Sequence, residues 1–259
     1  MKILLAEDHV LVQTMTVRLL QAEGHEVSVA ETGLQAIDAC RDQSFDVVFM
    51  DLQLPVMDGV SAIQRIRALE NESKQFANKK LVIWALTADS SSQTKTACLE
   101  AGADGLLTKP LRPNQLQECL HTIGSAGSEQ QTDSVTHNSS KPNSSSSASM
   151  ASGLVLMDTV GQDIESAQSL VALFQRDYKS LLNRFQLAFE TQDFQTVLRE
   201  AHSLKSPARI FGAANLHSLC DELENISRDN NADELRAIQP RFMDELLNLH
   251  DVVTNINFS

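Results

Sequence analysis

Positive charge is scarce in this chain: 21 Lys and Arg face 34 Asp and Glu, for a net charge of −13 at pH 7. That balance opposes the basic footprint needed to grip a phosphate backbone, and no Lys/Arg-rich run offsets it, so no nucleic-acid partner is expected. Long apolar runs are missing too. No stretch reaches the length of a membrane span, which argues against direct membrane insertion. Lys2, Glu7 and Asp8 interrupt the N-terminus where a signal peptide needs its apolar core, and the expected location is the cytoplasm. Cysteine is sparse: Cys40, Cys98, Cys119 and Cys220 lie far apart inside helical patterns, without the paired spacing of a zinc site or the density of a disulfide scaffold. They read as reduced core thiols.

What is present is apolar material for two soluble domains, 42% of 259 residues. The stretch that organises the first is 45–59. Val47, Val48, Phe49 and Met50 form a run suited to a strand buried on both faces, with Asp51 at its end and a Pro55/Gly59 loop after it. Four similar runs flank it: 2–6 ending on Glu7 and Asp8, 26–30, 81–86 ending at Thr87, and 105–108 ending at Lys109. Helical periodicity fills the gaps, from Val10, from Leu34, from Val60, around Cys98 and over 113–123. Strands alternating with helices imply an α/β domain with a five-stranded, parallel, doubly wound sheet over residues 1–122. In such sheets the site lies beyond the carboxyl ends of the strands, and here Glu7/Asp8, Asp51, Thr87 and Lys109 all occupy such ends.

From 123 to 152 the composition shifts to Ser, Asn, Gln and Thr, which cannot build a core, so a disordered linker is expected that tethers the second domain without fixing it. Residues 153–259 show no strand. Amphipathic patterns over 170–187, 194–211, 216–226 and 235–253 predict an all-α domain, an antiparallel four-helix bundle. In its second helix the expected core positions are Leu198, Ala201, Leu204, Ala208 and Phe211, and Pro207 predicts a kink or break after His202.

Each domain holds a candidate phosphoryl site. Glu7, Asp8 and Asp51 would repel one another if left alone, and Mg²⁺ is the hard cation that oxygen ligands of this kind accept. Lys109 and Thr87 then supply a positive charge and a hydroxyl for the remaining phosphoryl oxygens, and Asp51 is the nucleophile. In the second domain His202, Lys205, Ser206 and Arg209 recur at i, i+3, i+4 and i+7, one stripe of a helix beside the apolar one. A lone histidine there is ordinarily a solvated one; a neutral imidazole flanked by cations on a rigid helix is also a nucleophile suited to phosphate.

On Glu7-Asp8, Asp51, Leu-Pro-Val-Met-Asp-Gly at 54–59, Leu-Thr-Ala at 86–88 and Lys109-Pro110, residues 1–122 resemble the receiver domain of two-component response regulators. The resemblance implies that Asp51 accepts a phosphoryl group from the phosphohistidine of a histidine kinase and that the main chain of Gln53 joins the metal shell. Leu106 departs from the family, which commonly has an aromatic residue there to report phosphorylation. On Ala-His-Ser-Leu-Lys at 201–205, Gly212-Ala213, Leu216 and 219–224, the second domain resembles the histidine-containing phosphotransfer domain. That resemblance implies that His202 carries the phosphoryl group and exchanges it with a receiver aspartate, assisted by Lys205. Ser206, where the family usually has Gly, and Pro207 depart from it. The expectation is a phosphorelay protein, not an enzyme beyond its own phosphoryl acceptance and transfer. One rival is a docking or phosphate-sink bundle in which His202 is no obligatory station. Another, a metal-dependent phosphatase, is disfavoured by Gln53, where a second Asp would stand.

Overall fold

A computed structural model describes residues 1–72, 80–88, 91–125 and 148–258. Five strands, β1 (Lys2–Ala6), β2 (Glu26–Ala30), β3 (Val47–Asp51), β4 (Val82–Thr87) and β5 (Gly105–Thr108), form one parallel sheet in the order β2-β1-β3-β4-β5. Helices α1 (Val10–Ala22), α2 (Gly33–Asp42), α3 (Gly59–Glu72), α4 (Ser92–Glu100) and α5 (Pro113–Ser125) connect and follow them. All five residues of β3 are buried, as expected for a central strand covered on both faces. Alternate residues enter opposite layers. Ile3, Leu5, Val47 and Phe49 pack with Leu20 of α1 and Leu116 and Leu120 of α5, while Leu4, Val48 and Met50 pack with Ile37, Ile63 and Ile66 of α2 and α3.

The strand order reverses at β1, which has β2 on one side and β3 on the other. The crevice at that reversal opens at the carboxyl ends of β1 and β3, where the acidic residues lie. Gly59 shapes its rim. A Cβ there would stand 2.0 Å from the Asp51 carbonyl oxygen, so only glycine lets α3 start this close to the end of β3.

The linker expected over 123–152 falls mostly outside the described residues; at its ends α5 reaches Ser125 and a helix begins at Ala148. That helix, α6 (Ala148–Thr159), precedes the four that periodicity predicts: α7 (Ile164–Thr191), α8 (Phe194–Ile210), α9 (Ala214–Arg228) and α10 (Ala232–Thr254). Asp163, Asp193 and Asn231 cap three of these by accepting from the main-chain N–H of Glu165, Thr196 and Glu234. Phe185, Phe211 and Phe242 fill the core.

Two expectations for α8 change. Its buried stripe is Val197, Ala201, Leu204 and Ala208, whereas Leu198 is only half-buried; spacing i, i+4, i+7, i+11 keeps one face inward, and Leu198 sits a residue off that face. The helix also runs unbroken through Pro207. Pro207 lies in the last full turn, so it forfeits one helical bond near an end, while its buried ring and the flanking Leu204 and Ala208 remain packed.

The two domains pack together. Leu11, Val12 and Met15 of α1 belong to the apolar cluster of the bundle and not to either layer of the sheet. Arg18 donates to Ser166 Oγ at 3.4 Å, and Arg209 Nη1 to the Lys109 carbonyl at 2.9 Å. Whatever freedom a tether allows, these surfaces fix the domains against each other. No helix among the described residues is long and apolar enough to cross a membrane.

Candidate functional site

Four strand ends, those of β1, β3, β4 and β5, deliver the receiver site. Glu7 and Asp8 follow β1, Asp51 ends β3, and oxygens of the three carboxylates lie within 4.8 Å of one another, the arrangement among the described residues that suits a metal ion. Glu7 N donates to the Ala30 carbonyl, which keeps the chain in the sheet for one residue beyond β1 and turns Glu7 inward. Lys109 N likewise donates to the Thr87 carbonyl at 2.8 Å, holding Lys109 beside the end of β4. From there its ammonium reaches Asp51 Oδ2 at 2.7 Å and pairs with Glu7. Gln53 N donates to Asp51 Oδ1 at 3.2 Å, which orients the Asp51 carboxylate from the other side.

The electrostatics are those of a site short of positive charge. Burial, then the neighbouring Asp51 and Asp8, push the Glu7 carboxyl up to about 8 despite Lys109. Burial and Asp51 raise Asp8 as well. Burial works against the Lys109 ammonium, but Asp51 and Glu7 outweigh it and hold its pKa above the ordinary value. One ammonium serves three carboxylates. The deficit is what a divalent cation on these oxygens would correct.

The bundle site is built on α8 and α9. His202 Nδ1 lies 2.8 Å from Glu224 Oε1, and Glu224 also takes Arg228 at 2.7 Å and Lys205 at 3.2 Å. Burial opposes the charge of Glu224, yet His202, Lys205 and Arg228 together draw its carboxyl down to about 2. Glu224 therefore only accepts, so His202 Nδ1 carries the proton and Nε2 is the ring nitrogen left for chemistry. Lys205 is held by Asp221 at 2.6 Å as well, and these carboxylates raise its pKa against the effect of burial. The stripe is enclosed, not solvated: Lys205 and Ser206 are buried and His202 and Arg209 half-buried.

Residues from both sites line one cavity of about 660 Å³, with Asp51, Gln53 and Thr87 on the receiver side and His202, Lys205 and Arg209 on the bundle side. Of the residues expected from sequence, Glu7, Asp8, Lys109 and Ser206 do not line it; Glu7 and Asp8 have carboxylate oxygens within 4.8 Å of those of Asp51, and Lys109 pairs with Asp51 and Glu7. Glu224 is the residue that sequence reasoning misses. It lies in the 219–224 stretch that carries the resemblance, but no role follows from that, because nothing but the α8/α9 packing ties it to His202.

Comparison with known proteins gives the same division. Residues 3–121 match the response regulator receiver domain and residues 169–255 the Hpt domain. Sensor protein GacS of Pseudomonas syringae pv. syringae is 30% identical over 227 residues, covering 85% of this chain and 23% of that protein. Histidine protein kinase 1 of Candida albicans is 32% identical over 129 residues, covering 48% of this chain and 5% of that protein. The chain thus spans less than a quarter of the length of these relatives. Among solved structures, the receiver domain of a sensor histidine kinase from Pseudomonas aeruginosa, with a magnesium ion coordinated in its active-site cleft, is 36% identical. That match covers 48% of this chain and 98% of the other, with a TM-score of 0.43. A receiver domain joined to a C-terminal Hpt domain, the chain belongs to the two-component phosphorelay family.

Proposed function

We propose that this chain is a two-station phosphorelay protein of the cytoplasm, in which Asp51 takes a phosphoryl group from the phosphohistidine of a histidine kinase and exchanges it with His202 of the same chain. The observation that carries the reading is the shared cavity: the carboxylate and the imidazole line the same space. Phosphoryl transfer needs the attacking and leaving atoms in line about the phosphorus, and little more than charge around it. In the forward step an Asp51 oxygen attacks phosphorus, the donor's N–P bond breaks, and an acyl phosphate results. In the second, His202 Nε2 attacks and the bond to Asp51 breaks, restoring the carboxylate.

Glu7, Asp8, Asp51 and the main chain of Gln53 would hold Mg²⁺, which when bound supplies the positive charge that Lys109 alone does not. Lys109 and Thr87 steady the phosphoryl oxygens on the receiver side; Lys205 and Arg209 do so from the bundle. Glu224 keeps the proton on Nδ1 and the imidazole plane fixed, which supports a working station over an idle docking module. A receiver aspartate of another protein is the further acceptor, reached from phospho-His202.

The test is to load Asp51 from a small phosphodonor and follow the label. Wild type should carry both alkali-labile acyl phosphate and acid-labile, alkali-stable phosphohistidine; His202→Gln should carry only the first. Equal alkali-stable label in wild type and His202→Gln would sink the assignment.

A further inference from the structure

We infer that the docked bundle closes the face by which an outside histidine donor reaches Asp51, so that acceptance from a protein requires the bundle to move off α1. The inference rests on Asp51 being the acceptor and is independent of the role given to His202.

Helix α1 shows two stripes with different partners. Leu20 packs with Ile3 and Leu5 of the sheet, whereas Leu11, Val12 and Met15, only 3%, 2% and 2% exposed, pack with the bundle. The second stripe is covered by the bundle and by no layer of the sheet, so in an undocked receiver it is an apolar surface beside the acceptor site. Such a surface marks an interaction site, and here α7, with the His202 helix α8 beside it, is already on it. Arg209 holds the Lys109 carbonyl next to the acceptor, and Arg18 holds Ser166 at the far end of the same face.

The chemistry makes the two occupants exclusive. Asp51 is 3% exposed, and across the cavity it lines stand His202, Lys205 and Arg209. An outside phosphohistidine must place its ring where His202 stands for the in-line geometry to hold. The two imidazole-bearing helices cannot share that position. A small donor is not so limited, because a cavity of about 660 Å³ admits acetyl phosphate without movement of the bundle. With acetyl phosphate, the bond from phosphorus to the acetyl oxygen breaks as the bond to Asp51 forms, and acetate leaves. With phosphohistidine, the N–P bond breaks, and the freed imidazole takes a proton from solvent.

The experiment measures labelling of Asp51 in the full chain carrying His202→Gln, so that no label passes on. The two donors are acetyl phosphate and an autophosphorylated histidine-kinase core selected for labelling this receiver. Undocking is introduced on the bundle side, leaving α1 intact for the incoming donor: Ser166→Lys sets an ammonium against Arg18, and separately Val160→Lys puts a charge beside Met15. With docked and open forms at about ten to one, both variants should raise the kinase rate about tenfold and leave the acetyl phosphate rate unchanged. The unchanged rate also shows that the receiver is folded. Equal kinase rates in the parent and in both variants would overturn the proposal. Failure of acetyl phosphate to label Asp51 at all would overturn the acceptor reading, and this proposal with it.

Discussion

Glu7 and Glu224 are both buried glutamates, 1% and 4% exposed, yet the first carboxyl is pushed up to about 8 and the second drawn down to about 2. Burial raises both, so the neighbours decide. Around Glu7 one ammonium, Lys109, is shared with Asp51 and with Asp8 close by. Around Glu224 stand His202, Lys205 and Arg228. The receiver carboxylates are left short of positive charge, which a bound cation would supply, whereas the Glu224 carboxylate is fully paired as folded. This matches the nucleophiles. A carboxylate attacking a phosphoryl group brings like charges together and needs them neutralised, whereas a neutral imidazole needs orientation and a proton kept on the right nitrogen.

The sharpest way to break that contrast is to remove divalent cation. Metal charge stabilisation is worth several kcal/mol, so chelation should slow labelling of Asp51 by acetyl phosphate more than about a hundredfold. Labelling of His202 in Asp51→Asn by phosphoramidate should change by less than about twofold, since nothing in that step depends on a receiver-bound cation. Comparable losses at both stations would erase the distinction drawn here.

The second prediction attacks the other side. Glu224→Ala removes a charge-assisted bond to His202 of about 1.5–3 kcal/mol, so exchange through His202 should fall about ten- to a hundredfold. In Glu224→Gln, where the amide oxygen still accepts from Nδ1, the loss should be smaller. Neither variant should alter acetyl phosphate labelling of Asp51. If Ala and Gln behave alike, Glu224 is a structural residue and not a positioning one.

The same two glutamates give opposite pH dependences of stability. The folded pKa of Glu7 lies above its ordinary value of 4.5, so its contribution is full below that value and is lost as pH rises through about 8. The folded pKa of Glu224 lies below 4.5, so its contribution is present above that value and is lost as pH falls through about 2. In chelator, the melting temperature should therefore decline by a few degrees from pH 5 to pH 8, and Glu7→Gln should remove that decline. Glu224→Gln should instead flatten the fall between pH 4.5 and 2. A Glu7→Gln chain with the slope of wild type would show that the pairing with Lys109 cancels the burial.

How much of this is open to sequence reasoning follows from the range of the interactions. The strand ends are legible because a short apolar run and the polar residue that closes it are contiguous: Val47 to Asp51 gives both the strand and the carboxylate at its end. His202 stands out through its i+3 and i+7 neighbours on one helix. Glu224 does not, because its contact with His202 spans 22 residues and depends on how α9 packs on α8. The same holds for Leu11 and Met15. An amphipathic α1 looks alike whether its second stripe meets water or another domain. Val197 and Leu198 are both apolar and adjacent, so periodicity alone does not choose between them. Helix α6 begins among the Ser and Ala residues that end the linker, and only Leu154 to Met157 offer a sign of it.

The smallest expected effect concerns Leu106, on the strand beside the receiver site. It pairs in register with Ala85 of β4 and is partly buried against the layer that holds Ile63 and Ile66. Receivers that signal through shape commonly carry an aromatic residue here, whose ring moves between inward and outward positions. Leucine has no polar tip and less surface, so its alternative positions differ little in packing or hydrogen bonding, and phosphorylation has little to select between. On the proposed transfer to His202 that coupling is not needed, since Asp51 and His202 line one cavity. Leu106→Ala should therefore cost about 1–2 kcal/mol, below the range for fully buried leucines because the side chain is only partly enclosed. Exchange between Asp51 and His202 should stay within about twofold. Beryllium fluoride, a mimic of the bound phosphoryl group, should change amide exchange near Asp51 and Thr87 and leave α4 and α5 little altered. Strong protection changes through both helices, together with lost signalling but intact transfer in Leu106→Ala, would show that this receiver also speaks through its shape.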